Sequence, residues 1–134
     1  MNVLEFLQAV TAITAARVFI EYPRSVPNGI FAVVTEDGES EFLTMFGRRS
    51  VTQKTVQVNL YDPPDAKGNA PARARLVDVY NTVFYADRSI DADSTPGLLV
   101  KNGFTRQLGI PPEVDSRTRS QSAVVRFTAL LNRT

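Results

Sequence analysis

TQKTVQVNLYD, Thr52 to Asp62, leads past a Pro-Pro turn into PARARLVDVYNTVFY, Pro71 to Tyr85. In the first stretch Val56, Val58 and Leu60 alternate with Thr55, Gln57 and Asn59, the period-2 pattern of a strand with one covered face. In the second, Ala72, Leu76, Val79, Tyr80, Val83 and Phe84 recur three and four residues apart and make one wide apolar stripe on a helix. Together they predict a helix laid across its own sheet.

The same reading extends outward. Val3, Phe6, Leu7, Val10 and Ile13 mark a first amphipathic helix over Val3 to Ala16, with Asn2 and Glu5 placed like a capping box. Val18 to Tyr22 reads as a strand ended by Pro23, and Pro27-Asn28-Gly29 turns the chain into the apolar run Ile30 to Thr35, typical of an interior strand. Glu36-Asp37-Gly38-Glu39 suits a hairpin tip, because Asp-Gly tolerates the positive φ of a tight turn. Phe42, Leu43, Met45 and Phe46 then form a return strand or an extended arm.

Beyond the second helix, Asp87 to Gly97 reads as a surface loop, and Leu98 to Val100 with Phe104 to Leu108 as two short strands. Ile110 to Ser116, interrupted by Pro111-Pro112, reads as irregular. Ser122 to Leu131 is a firm last strand with Val125, Phe127, Ala129 and Leu131 on one face. The expected fold class is α+β: a single domain over residues 1–134 with a mostly antiparallel β-sheet and two α-helices packed on one face.

Composition narrows the chemistry. A chain of 134 residues buries roughly two-thirds of the surface its unfolded form exposes, enough to fold without staples. It has no cysteine and no histidine, which removes disulfides, thiol nucleophiles, the commonest neutral-pH base and the commonest metal ligand. There is no run of about 18 apolar residues to span a bilayer, and the first residues lack the pattern of a signal peptide. The expectation is a soluble protein made in the cytoplasm. Six Lys/Arg face two Asp/Glu after residue 100, against nine and twelve before it, so the last quarter is mildly basic.

Candidate sites are few. Glu36, Asp37, Glu39 and Glu41 are carboxylates in one segment, but they lack calcium-loop spacing and suit a solvated turn. Asp91 and Asp93 beside Ser94 read the same way. No phosphate-cradling glycine motif occurs, and basic and aromatic residues do not interleave as single-strand binders require. No catalytic, cofactor-binding or metal residue is assigned. Arg48 and Arg49 before the central strand, and Arg117 and Arg119 before the last, could grip phosphate or a partner's carboxylates, although ordinary surface charge explains either pair. Phe42, Met45 and Phe46 are core by default, or the apolar part of an arm that buries itself in a neighbouring subunit.

Taken in order, the amphipathic N-terminal helix, Ile20-Glu21-Tyr22-Pro23 with Pro27 after it, Ile30 to Val34, Val56-Gln57-Val58-Asn59-Leu60-Tyr61, the Ala72-Arg73 helix and the final strand resemble one family. It is the tail terminator family, the tail-completion or head-to-tail joining proteins of long-tailed bacteriophages. The resemblance spans nearly the whole chain and is one of pattern and size, with Val56 to Tyr61 followed by Ala72-Arg73 its most specific part. It implies a non-enzymatic structural virion protein without cofactor. Such a subunit forms a hexameric ring on the head-proximal end of the tail tube, ends tube polymerisation and provides the joint to the head connector. The implied partners are further copies of the chain, the tail tube protein, the connector or another neck protein, and the sheath if the tail is contractile. Genomic DNA passes through without sequence-specific binding, and no membrane is involved. The implied location is the virion, after assembly in the host cytoplasm. The alternatives are another neck component, an adaptor or stopper, and a small nucleic-acid-binding module. The candidate subunit or tube contacts are Phe42, Met45, Phe46, Arg48 and Arg49 on the arm, with Arg117 and Arg119 as a second patch.

Overall fold

The computed structural model describes residues 11, 17–43, 50–64, 67–68, 73–86, 99–117 and 119–132. They form an α+β fold: one five-stranded, largely antiparallel sheet and one helix. The strands are β1 (Arg17–Phe19), β2 (Phe31–Leu43), β3 (Ser50–Asp62), β4 (Leu99–Val114) and β5 (Gln121–Asn132), and the helix is α1 (Arg73–Phe84). Their order across the sheet is β1-β2-β3-β5-β4, with only the β1–β2 pair parallel. The helix expected over Val3 to Ala16 lies outside the described residues apart from helical Thr11.

The alternation in β3 separates the two faces as its sequence predicts. Val56, Val58, Leu60 and Asp62 are buried, while the residues between them are half-buried. Register carries the pattern across, because Val58 pairs with Val34 on one side and Val125 on the other, and Leu60 with Ala32 and Ala123. Directly opposed residues share a face, so these side chains form one apolar layer. Leu76, Tyr80 and Val83 of α1, spaced on one stripe, close that layer as α1 lies against β5, β4 and β3. The helix has no acidic residue in its first turn and no basic residue in its last, so packing of its apolar stripe is what holds it.

Gly29 has φ 95°, a conformation that side-chain-bearing residues rarely adopt, and it delivers the chain into β2. There Phe31, Ala32, Val33 and Val34 are all buried, as an interior strand requires.

Three local expectations are corrected. Glu36 to Glu39 is no hairpin tip: β2 runs straight through it and pairs with β3 as far as Leu43↔Ser50. The register shifts between Glu36 and Gly38, so the extra residue is absorbed as a bulge within a long ladder. The two short strands expected at Leu98 to Val100 and Phe104 to Leu108 are not separate: Leu99, Val100 and Phe104 to Leu108 are parts of the sixteen-residue β4, whose pairing slips at three places, and Leu98 lies outside the described residues. Pro111-Pro112 lies inside β4 as well. A proline pair is tolerated there because β4 is an edge strand and its register shifts between Ile110 and Glu113.

Candidate assembly surface

The sheet has a second face, away from α1. Rows of paired residues cross it, and the first runs Arg17, Phe31, Tyr61, Ser122, Glu113 through all five strands. The next runs Phe19, Val33, Asn59, Val124, Ile110. This face is mixed in chemistry. Near β1 it is aromatic: the Phe31 ring stacks on Tyr61 with centroids 5.1 Å apart, and Tyr22 meets both edge-on. Phe19 adds a further edge contact to Phe31. Burial raises the pKa of the Tyr61 hydroxyl, and neighbouring Tyr22 adds to the shift.

Beside this cluster lies an open groove of about 540 Å³, bounded by Tyr22, Val26, Pro27, Tyr61, Pro63 and Pro64, with Asp115, Ser120 and Ser122 along its polar rim. Further along the face the chemistry becomes polar. Arg126 donates from Nε and Nη2 to Gln57 Oε1 at 3.2 and 2.7 Å, and Gln57 Nε2 donates to Asn59 Oδ1 at 2.9 Å. On the α1 side of the same strands, Lys54 and Glu36 form an ion pair at 3.6 Å. The Arg126, Gln57 and Asn59 contacts hold half-buried polar side chains of β3 and β5 in place and leave none of them poised as a nucleophile or general base.

On the other face, the seam between α1 and β4 is built tightly. Arg106 Cζ sits 3.6 Å from the centroid of the Phe84 ring, and its Nη1 donates to the Phe84 carbonyl at 2.8 Å. At the far end of the same face Asp62 is fully buried opposite Gln121, with Arg75 Nη2 3.4 Å from Oδ1 and neither carboxylate oxygen hydrogen-bonded. Burial raises its pKa, and the Arg75 charge only partly offsets that.

The residues singled out from sequence are distributed unevenly. Phe42 is on β2, opposite Val51, so it belongs to the outgoing strand and not to a return strand. Met45, Phe46, Arg48 and Arg49 lie outside the described residues, as do Asp91 and Asp93. Arg117 and Arg119 share the exposed turn between β4 and β5. The Arg117 amide donates to Asp115 Oδ1 at 2.8 Å, and Arg119, at φ 57°, donates through its own amide to the Asp115 carbonyl at 2.8 Å. Its guanidinium also reaches the Gly68 carbonyl at 3.3 Å, so Arg119 ties this turn to the loop after β3. Sequence reading missed the Tyr22, Phe31 and Tyr61 cluster and the seating of Arg106. Both depend on cross-strand register, although Tyr22 before Pro23 and the solitary Arg106 were visible signals.

No described helix is long and apolar enough to cross a membrane, and the described residues contain no group of three or more acidic side chains arranged to hold a metal.

Against solved structures, the chain is similar to one in the virion of a native gene transfer agent particle. The TM-score is 0.50 at 16% identity, over 92% of this chain and 84% of that one. The chain therefore shares its fold with that chain. A second similar chain is the sheath/tube terminator of an extracellular contractile injection system in its extended state, with a TM-score of 0.48 at 10% identity. The alignment takes in 100% of this chain but 57% of that one. No family model and no curated protein matches the chain.

Proposed function

We propose that this chain is a structural virion protein of the tail-terminator type, without catalytic activity. Six copies form a ring on the head-proximal end of a phage tail tube, end its polymerisation and provide the joint to the head connector. The observation that carries this reading is the fold shared with a virion chain over most of both lengths. Two others support it. The sequence pattern resembles the tail terminator family, and the described surface offers an aromatic groove and fixed polar pairs suited to contact.

In this reading the chain folds as one domain. Its partners are its own copies, the tail tube protein, the connector or a neighbouring neck protein, and the sheath where the tail contracts. DNA passes the ring without being read. Phe42 on β2, Met45, Phe46, Arg48 and Arg49 after it, and Arg117 and Arg119 on the β4–β5 turn supply contacts to tube or neighbour.

Polymerising purified tube protein with and without this chain tests the proposal. Tubes that stop growing, and that retain the chain in a pull-down, are expected. Tubes of unchanged length, with the chain captured by connector protein instead, would assign it to the adaptor or stopper role.

A further inference from the structure

The rows that cross the second face have different chemistry at their two ends. The first begins with exposed Arg17 at the β1 edge and ends with exposed Glu113 at the β4 edge. The second begins with Phe19 and ends with Ile110, which is 42% exposed, and Leu108 beside it is 43% exposed. Ile20, the residue that follows β1, is 54% exposed. Each edge thus carries apolar side chains, and the first row ends in opposite charges. Among the described strands, β1 and β4 are also the two ends of the sheet, each with a strand neighbour on one side only.

We infer that these two edges are the two halves of one contact between copies of this chain, with Leu108, Ile110 and Glu113 of one copy seated against Arg17, Phe19 and Ile20 of the next. Three observations favour a second copy as occupant. The first row ends in opposite charges, so a sheet continued into the next copy sets Glu113 beside Arg17. The strand directions agree, because β1 and β4 run in opposite senses and meet antiparallel when the sheet continues. The two patches are different and lie at opposite ends of the sheet. A two-fold contact, in which one patch meets itself, would place like charges together, whereas a head-to-tail contact satisfies both patches on every subunit and closes into a ring when its rotation closes.

Prolines 111 and 112 and the three register slips in β4 blunt that edge as a hydrogen-bonding template. The contact is therefore made by side chains, and open-ended strand addition is suppressed. This contact deepens the ring reading and rests on it only for closure.

The chain has no cysteine, so engineered thiols report cleanly. Glu21→Cys and Gln107→Cys place thiols at exposed positions flanking the two halves without replacing their members. Treated at high concentration with a short bismaleimide, a mixture of the two variants should give a cross-linked dimer containing one of each. Either variant alone should stay monomeric, and the chain carrying both should give a ladder. Adding Glu113→Arg to the Gln107→Cys chain should cut the mixed dimer at least tenfold, and adding Arg17→Glu to the Glu21→Cys chain should restore it. Circular dichroism confirms that each variant is folded. Self-cross-linking of either single variant, no mixed dimer, or no effect of the charge reversal overturns the proposal. The ring reading is judged separately at tube ends, where a ring lacking the mixed cross-link would keep that reading and place the contact elsewhere.

Discussion

Arg106 is bound twice to Phe84: its guanidinium carbon lies 3.6 Å from the ring centroid, and its Nη1 donates to the Phe84 backbone carbonyl at 2.8 Å. Phe84 is the last residue of α1, so its carbonyl is one of those a helix leaves without an internal partner. Arg106 therefore caps the helix and clamps it to β4 in one contact.

Arg106→Ala should remove both contributions and destabilise the fold by roughly 1–2 kcal/mol, as expected for one charge-assisted hydrogen bond and one cation–π contact. Arg106→Lys should recover only part of this, since an ammonium cannot stack as a planar fork does. Urea melts of the parent and the two variants check the order, and equal midpoints for the parent and Arg106→Ala would contradict it.

Gly109 of β4 lies directly beneath Tyr80 and Phe84 of α1. A Cβ built there would lie 2.5 Å from the Tyr80 hydroxyl oxygen and 2.6 Å from Phe84 Cε2. Gly109→Ala should cost about 1–3 kcal/mol, the range for overpacking a tight seam. Adding Tyr80→Phe should recover a minor share, because the Phe84 ring still blocks the site. Thermal melts of the single and double variants measure this, and an alanine variant as stable as the parent would show that α1 shifts at little cost.

Asp62 predicts a pH dependence of definite sign. Its pKa is raised by burial, more than Arg75 lowers it, so the folded value lies above the unfolded one. Its favourable contribution is then fully present below the ordinary aspartate pKa and is lost as pH rises through the raised value. Asp62→Asn, neutral throughout, should raise stability at neutral pH by something on the order of 1 kcal/mol and change little below pH ~3. A variant less stable at neutral pH would mean that the Arg75 ion pair outweighs the burial of the charge.

The fold was legible where one strand or helix carries its own periodicity. Val56, Val58 and Leu60, Val125, Phe127 and Ala129, and Leu76, Tyr80 and Val83 all occupy the faces their spacing indicates. It was illegible where a long ladder overrides local signals. Asp37-Gly38 has turn chemistry, yet the ladder continues past it to Leu43↔Ser50 and turns that chemistry into a bulge. Pro111-Pro112 breaks strands in general, but an edge strand needs hydrogen bonds on one side only. The surface was less legible still. Arg17 and Glu113, 96 positions apart by their numbering, share one row only because β1 pairs with β2 and β4 with β5. No local pattern announces that.

The most direct test of the central claim is electron microscopy of tail tubes incubated with this chain, averaged on the tube ends. The account predicts a six-fold ring of the chain on one end of each tube and none along its length. A chain that remains strictly monomeric and never associates with tube ends would contradict it.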